Sequence, residues 1–180
     1  MKREKITSIA ITAMFAAMIT VTTMFVSIKL SANGYVHLGD TLIYLAACFL
    51  PTPYAIAAAS IGAGLADLMA GYPHFIIFTI IIKAANASLF SSKKNRLLTT
   101  RNSLMLIPSG LITIAGYSAA EFVLELVLYH NGTAQSFALA LSKIPENAGQ
   151  AAASGVLFLL AAAALDASKA KKTLDKLIRK

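Results

Sequence analysis

Residues 91–102 read Ser-Ser-Lys-Lys-Asn-Arg-Leu-Leu-Thr-Thr-Arg-Asn. This polar stretch, with Lys93, Lys94, Arg96 and Arg101, separates long apolar runs, and the side it faces decides how the rest of the chain threads. Two further basic clusters flank the sequence, Met1–Lys5 and Lys169–Lys180. Lys and Arg close to apolar spans collect on the cytoplasmic side of a membrane. Four spans before the break and two after it return all three clusters to that side. The opposite side then carries only Lys29 and Lys143.

Composition agrees that the solvent is lipid. Of the 180 residues 57% are hydrophobic and 13% are charged, against about 25% charged in an ordinary soluble domain; mean hydropathy is +0.70. The net charge of +8 sits outside the apolar runs, so it marks membrane topology and excludes a nucleic-acid role. The lone Cys48 rules out an internal disulfide and reads as a buried small hydrophobe. Met1–Lys5 resembles the start of a secretion signal. The apolar run behind it, Ile6–Ile28, is about twice a usual signal core, so it reads as a retained span.

Six helices are predicted: Ile6–Ile28, Leu38–Leu50 (stopped by Pro51-Thr52-Pro53), Tyr54–Ala70 (stopped by Gly71-Tyr72-Pro73), Phe75–Phe90, Leu104–Tyr129 and Pro145–Leu165. The second is short for a full span and is expected to be tilted, buried in protein or re-entrant. Pro108 lies near the first turn of the fifth, and Pro145 at the first position of the sixth, where proline is tolerated. His130–Ser142 reads as a loop with an Asn131-Gly132 turn, and residues 169–180 as a basic tail. The fold expected is an all-α membrane protein, a six-transmembrane-helix bundle forming one domain over residues 1–180, with both termini cytoplasmic. Small residues at four-residue spacing, Ala58-xxx-Gly62-xxx-Ala66, Ser60-xxx-Gly64 and Ala151-xxx-Gly155, mark surfaces where helices pack closely in lipid.

Ionisable groups inside apolar segments are expensive unless paired or facing a polar cavity. Threading places Asp67, Tyr72 and His74, then Lys83, Glu121 with Glu125, and Glu146, Asn147 and Gln150 in one outer half. Asp67 falls about one turn below the outer end of its helix and Lys83 roughly 12 Å below the end of the next, near mid-membrane. Glu121 and Glu125 share a helix face, as do Asn147 and Gln150. The inner halves are mostly Ala, Leu, Ile and Val. A proton relay or channel spreads polar groups through the whole depth, so this asymmetry favours a site that captures a small polar molecule from outside. Other readings exist for each group. Lys83 with Glu121 makes a structural ion pair; Asp67 caps its helix or meets Lys83; Asn147 and Gln150 glue helices together; His37 and His74 are surface histidines; Glu125 is solvated at the headgroups. Asp40 after Gly39 is, by default, an N-cap. Tyr35, Tyr44, Tyr72, Phe75, Phe122 and Tyr129 lie toward the outer half, suited to stacking on a flat ring or to an interfacial belt.

No Gly-rich phosphate loop, His-Glu-x-x-His, Cys-x-x-Cys or Gly-x-Ser-x-Gly is present. The sequence therefore predicts no enzyme, no catalytic residue, no cofactor and no metal site. No inverted repeat of the kind that builds secondary transporters is visible.

Tyr35-Val36-His37-Leu38-Gly39-Asp40-Thr41, Ala66-Asp67-Leu68, Gly71-Tyr72-Pro73-His74, Phe78-Thr79-Ile80-Ile81-Ile82-Lys83 and Ile144-Pro145-Glu146-Asn147-Ala148-Gly149-Gln150 resemble the substrate-binding S components of energy-coupling factor (ECF) transporters over nearly the whole chain. The resemblance implies a multi-pass protein of a prokaryotic cell membrane that binds a vitamin or precursor. It implies partners as well: a transmembrane coupling subunit and two cytoplasmic ATPase subunits. The candidate substrate contacts, from the outer polar cluster together with Asp40, are Asp40, Asp67, Tyr72, His74, Lys83, Glu121, Asn147 and Gln150. An Ala-xxx-Ala surface on the first helix, here Ala13 and Ala17 with Ala10 one turn earlier, would meet the coupling subunit. The nearest likeness is to members for hydroxymethylpyrimidine, pyridoxine or riboflavin-type ligands, and the absence of Trp argues against the thiamine-binding members. A stand-alone proton-coupled carrier and a ligand-free membrane scaffold are the competing readings.

Overall fold

The computed structural model describes residues 2–31 and 34–179, with side chains for all of these except residues 2, 3, 27–36, 175 and 177–179. Helix α1, Lys2–Phe25, leads into a hairpin of β1, Ser27–Ser31, and β2, Gly34–His37. Helices α2 (Gly39–Phe49), α3 (Thr52–Ala70) and α4 (Ile76–Leu89) follow, α3 and α4 being joined by a 3-10 turn at Pro73–Phe75. A short α5, Thr100–Leu104, precedes α6, Leu106–Val127; then come α7 (Thr133–Ser142), α8 (Ile144–Ala167) and α9 (Ala170–Arg179). Apart from the hairpin, the regular elements among the described residues are all helical. Helices α1, α3, α6 and α8 are long and apolar enough to cross a membrane, while α2 and α4 are shorter apolar helices.

The short α2 is buried in protein. Gly39, Asp40, Thr41 and Ile43 through Cys48 are all shielded, enclosed mainly by α1, α3, α4 and α8. The outer faces of the other helices carry exposed Ile9, Met14, Leu68, Ile77, Leu111, Val156 and Leu160, the apolar girdle expected in lipid. Close packing uses the small residues read from the sequence. At Gly62 a Cβ would lie 2.7 Å from the Ala16 carbonyl oxygen and 2.9 Å from the Ile19 Cβ, and the Thr20 hydroxyl donates to the Gly62 carbonyl at 2.9 Å. Helix α3 ends at Gly71, φ 86°, where the Tyr72 N–H returns to the Asp67 carbonyl at 2.8 Å. That left-handed position suits glycine, and it turns Tyr72 and His74 back toward the bundle end.

Several boundaries differ from expectation. Helix α1 stops at Phe25, because residues 27–31 pair antiparallel with residues 34–37. Residues 133–142, read as loop, form α7, which packs on α6; its Ala-Leu-Ala-Leu content favours helix. The tail is helical from Ala170, and Lys171 is 2% exposed rather than solvated. Lys29 and Tyr35, named above for their side chains, lie outside the described side chains.

Candidate functional site

The bundle end formed by the hairpin, the α3–α4 turn and the α6–α7 connection encloses a cavity of about 560 Å³. All eight predicted ligand contacts, Asp40, Asp67, Tyr72, His74, Lys83, Glu121, Asn147 and Gln150, lie on its wall. So do Glu125 and Glu146.

Its floor is an ion pair. The Lys83 Nζ lies 2.7 Å from the Asp40 Oδ1, with both side chains at most 2% exposed. The pairings considered from the sequence, Lys83 with Glu121 or with Asp67, give way to this one, because Asp40 enters from the buried start of α2. Asp40 is not an N-cap either: no side chain caps α2 at Leu38. The Gly39 N–H instead donates to the His37 Nδ1 at 3.1 Å, so the first helical donor is satisfied from the hairpin. Lys83 also lies 4.9 Å from the centre of the Tyr117 ring, a favourable cation–π distance. The Tyr117 hydroxyl in turn shares a hydrogen bond of 3.2 Å with Thr79.

Gln150 ties the hairpin to α8. Its Oε1 accepts from the His37 N–H at 2.7 Å. Its Nε2 shares two N–H groups among three acceptors, the His37 carbonyl at 3.0 Å, the Asp40 Oδ2 at 3.3 Å and the Ser154 hydroxyl at 3.0 Å. One amide thus fixes the position of the backbone that carries Asp40. His37 is not an ordinary surface histidine. Burial pushes its imidazole down to about 4; the Asp40 carboxylate opposes that shift and the Lys83 ammonium reinforces it.

The opposite wall is acidic and aromatic. Asp67 is 8% exposed, and its Oδ2 accepts no well-formed hydrogen bond. Glu121 stands half-buried one turn from Glu125, whose Oε2 accepts from the Asn131 Nδ2 at 2.5 Å. Lys143 lies 3.7 Å from Glu146. His74 has the rings of Phe75, Tyr72 and Tyr129 around it at 5.0, 6.2 and 6.4 Å, and Phe75 continues the wall to Tyr117 at 6.5 Å. Tyr44 and Phe122 are not on the wall. Tyr44 stacks on Phe90 at 4.8 Å and receives the Ser109 hydroxyl at 3.1 Å, a core role.

Sequence reasoning passed over Tyr117, Thr113, Thr23 and Asn131 as wall residues. Tyr117 sits on α6 four residues before Glu121, so the helical repeat was the available signal. Beneath the cavity the interior is less apolar than expected: buried Asn86 donates to Thr113 at 2.9 Å. Among the described residues no group of three His, Cys, Asp or Glu side chains could hold a metal ion.

An apolar helical bundle that encloses one polar cavity at one end has the form of a membrane-embedded protein that binds a small molecule. Residues 3–167 match the profile of the ECF-type riboflavin transporter, S component, and the chain belongs to that family. It is thus a substrate-binding component of a membrane transporter that works with an ECF module; the family is one of transporter components, not of enzymes. The chain is also similar to a protein of Pyrococcus woesei named "Uncharacterized protein in gap 3'region", at 32% identity over 108 residues, which cover 59% of this chain and 72% of that one.

Proposed function

We propose that this chain is the substrate-capture subunit of an ECF-type ABC importer, taking a small heteroaromatic vitamin or vitamin precursor from outside a prokaryotic cell membrane. The observation that carries the reading is the cavity itself. Its volume of about 560 Å³ lies within the ~300–1,000 Å³ range of small-molecule sites, and its aromatic wall faces a hydrogen-bonded polar floor. In this reading α1, α2, α3, α4, α6 and α8 all traverse the bilayer within a single 1–180 domain. Both termini and Lys93–Arg101 face the cytoplasm, as the positive-inside rule favours, and the cavity opens outward. A transmembrane coupling subunit and two cytoplasmic ATPases supply the energy. The coupling subunit docks on α1, where Ala10, Ala13 and Ala17 are exposed while Ile11, Phe15 and Ile19 face the core. A smooth strip of this kind permits close, reversible helix contact.

Calorimetry of the detergent-solubilised chain against a vitamin panel tests this. Binding by the chain alone, with uptake into liposomes only when the coupling subunit and ATPases are present, is the expected result. No ligand below about 1 µM, near −8 kcal/mol, or pH-driven uptake by the chain alone, contradicts it. Ala13→Leu with Ala17→Leu should abolish uptake and leave ligand affinity unchanged.

A further inference from the structure

The charges on the cavity wall do not cancel. Asp40 is matched by Lys83 at 2.7 Å and Glu146 by Lys143 at 3.7 Å. Asp67, Glu121 and Glu125 also face the cavity, and none of them forms an ion pair among the described residues. Asp67 is the telling member, because it is 8% exposed and, although the Thr79 hydroxyl lies close enough to act on its carboxyl group, its Oδ2 accepts no well-formed hydrogen bond. A carboxylate oxygen shielded in this way is costly unless a donor reaches it. A donor nitrogen on a bound molecule would meet that need.

We infer that the ligand carries a protonatable or cationic nitrogen, as an amino-substituted heteroaromatic ring does, and that this nitrogen donates to Asp67 Oδ2 while its ring lies against Tyr72, His74 and Phe75. The inference rests on the capture role proposed above and narrows it. Amino nitrogens satisfy Asp67 and are drawn by Glu121 and Glu125 as they enter. Phosphate esters and carboxylic acid derivatives of the same ring bring a like charge toward three carboxylates and are rejected. A neutral flavin offers one ring N–H donor but no cation, and so answers this wall less well.

The test compares three probes on the full chain in detergent: 4-amino-5-hydroxymethyl-2-methylpyrimidine, its phosphate ester and riboflavin. The amine should bind tightest, and the ester at least about 100-fold more weakly. Asp67→Asn should weaken the amine about 10–100-fold, the usual cost of a lost charged hydrogen bond, and change riboflavin binding less than about threefold. Glu121→Gln, on a half-exposed side chain, is the second variant and should weaken the amine by a smaller factor. Because the probe series is read on the unaltered protein, the comparison survives poor folding of either variant. Tighter binding of riboflavin or of the ester than of the amine overturns the inference and leaves the capture role standing, as does an unchanged amine affinity in Asp67→Asn. If nothing in the vitamin panel binds, the capture role falls and this inference with it.

Discussion

The Lys83 Nζ and the Asp40 Oδ1 lie 2.7 Å apart with essentially no exposure, joining α4 to the start of α2 beneath the cavity. Removing one partner from a buried pair leaves a bare charge and costs about 3–5 kcal/mol, whereas replacing both with neutral groups of similar size is close to neutral. Asp40→Asn and Lys83→Met should each lower the thermal unfolding midpoint in detergent sharply, and the double variant should recover most of the loss. Additive losses in the double-mutant cycle would show that the pair is not coupled.

His37 gives the site a pH response with a defined sign. Its pKa falls from 6.5 to about 4 in the folded chain, so on acidification the unfolded chain takes up the proton first. Its contribution to stability is complete above about 6.5 and is lost as pH falls toward 4, at up to about 1.4 kcal/mol per unit. His37→Asn, which keeps an acceptor for the Gly39 N–H but does not titrate, should flatten the unfolding midpoint between pH 7 and 4.5. An equally steep profile in the variant would assign the titration to another group.

Gly62 and Gly149 should respond to alanine with opposite signs. A Cβ at Gly62 meets backbone of α1 at 2.7 Å, while one at Gly149 in α8 meets nothing within 4 Å. Gly62→Ala is expected to destabilise by about 1–3 kcal/mol through overpacking. Gly149→Ala is expected to stabilise by up to about 1 kcal/mol through helix propensity. Chemical denaturation of both variants in the same detergent reads the difference directly; destabilisation of similar size in both would discount the close α1–α3 contact.

These contrasts also show what the sequence made legible. Basic clusters and apolar run lengths are local, one-dimensional signals, so the long helices and the gathering of Asp67, Lys83, Glu121 and Gln150 around one end could be read. The partner of Lys83 could not, since Asp40 reaches it only because α2 is swallowed by the bundle. His37 as the acceptor at the start of α2, and Gln150 as the clamp on the His37 backbone, depend on contacts 113 residues apart in the case of Gln150. The first strand of the hairpin carries a local signal, the alternation of polar and apolar residues through Ser27-Ile28-Lys29-Leu30-Ser31, which is the period of a strand. Helix α7 was hidden by the assumption that a segment without a span must be a loop.

The far end of the bundle is held by a second buried lysine, hidden in what reads as a solvated tail. The Lys171 Nζ donates to the Cys48 carbonyl and the Ser92 carbonyl, each at 2.6 Å, pinning α9 to the end of α2 and to the connection after α4. Asp166, just before it, accepts from the Leu97 and Leu98 N–H groups at 2.8 and 3.0 Å. Hydrogen bonds to charged groups contribute about 1.5–3 kcal/mol each, and their loss here strands backbone carbonyls. Lys171→Met should therefore lower the unfolding midpoint by several degrees, at roughly 2–4 °C per kcal/mol for a chain of this size. Lys172→Met, at an exposed neighbour, should stay within about 0.5 kcal/mol of the parent. Because the cavity lies at the opposite end, ligand affinity should be the same in both variants at a temperature where both are folded. Equal midpoints for Lys171→Met and Lys172→Met would mean that α9 does not anchor the bundle.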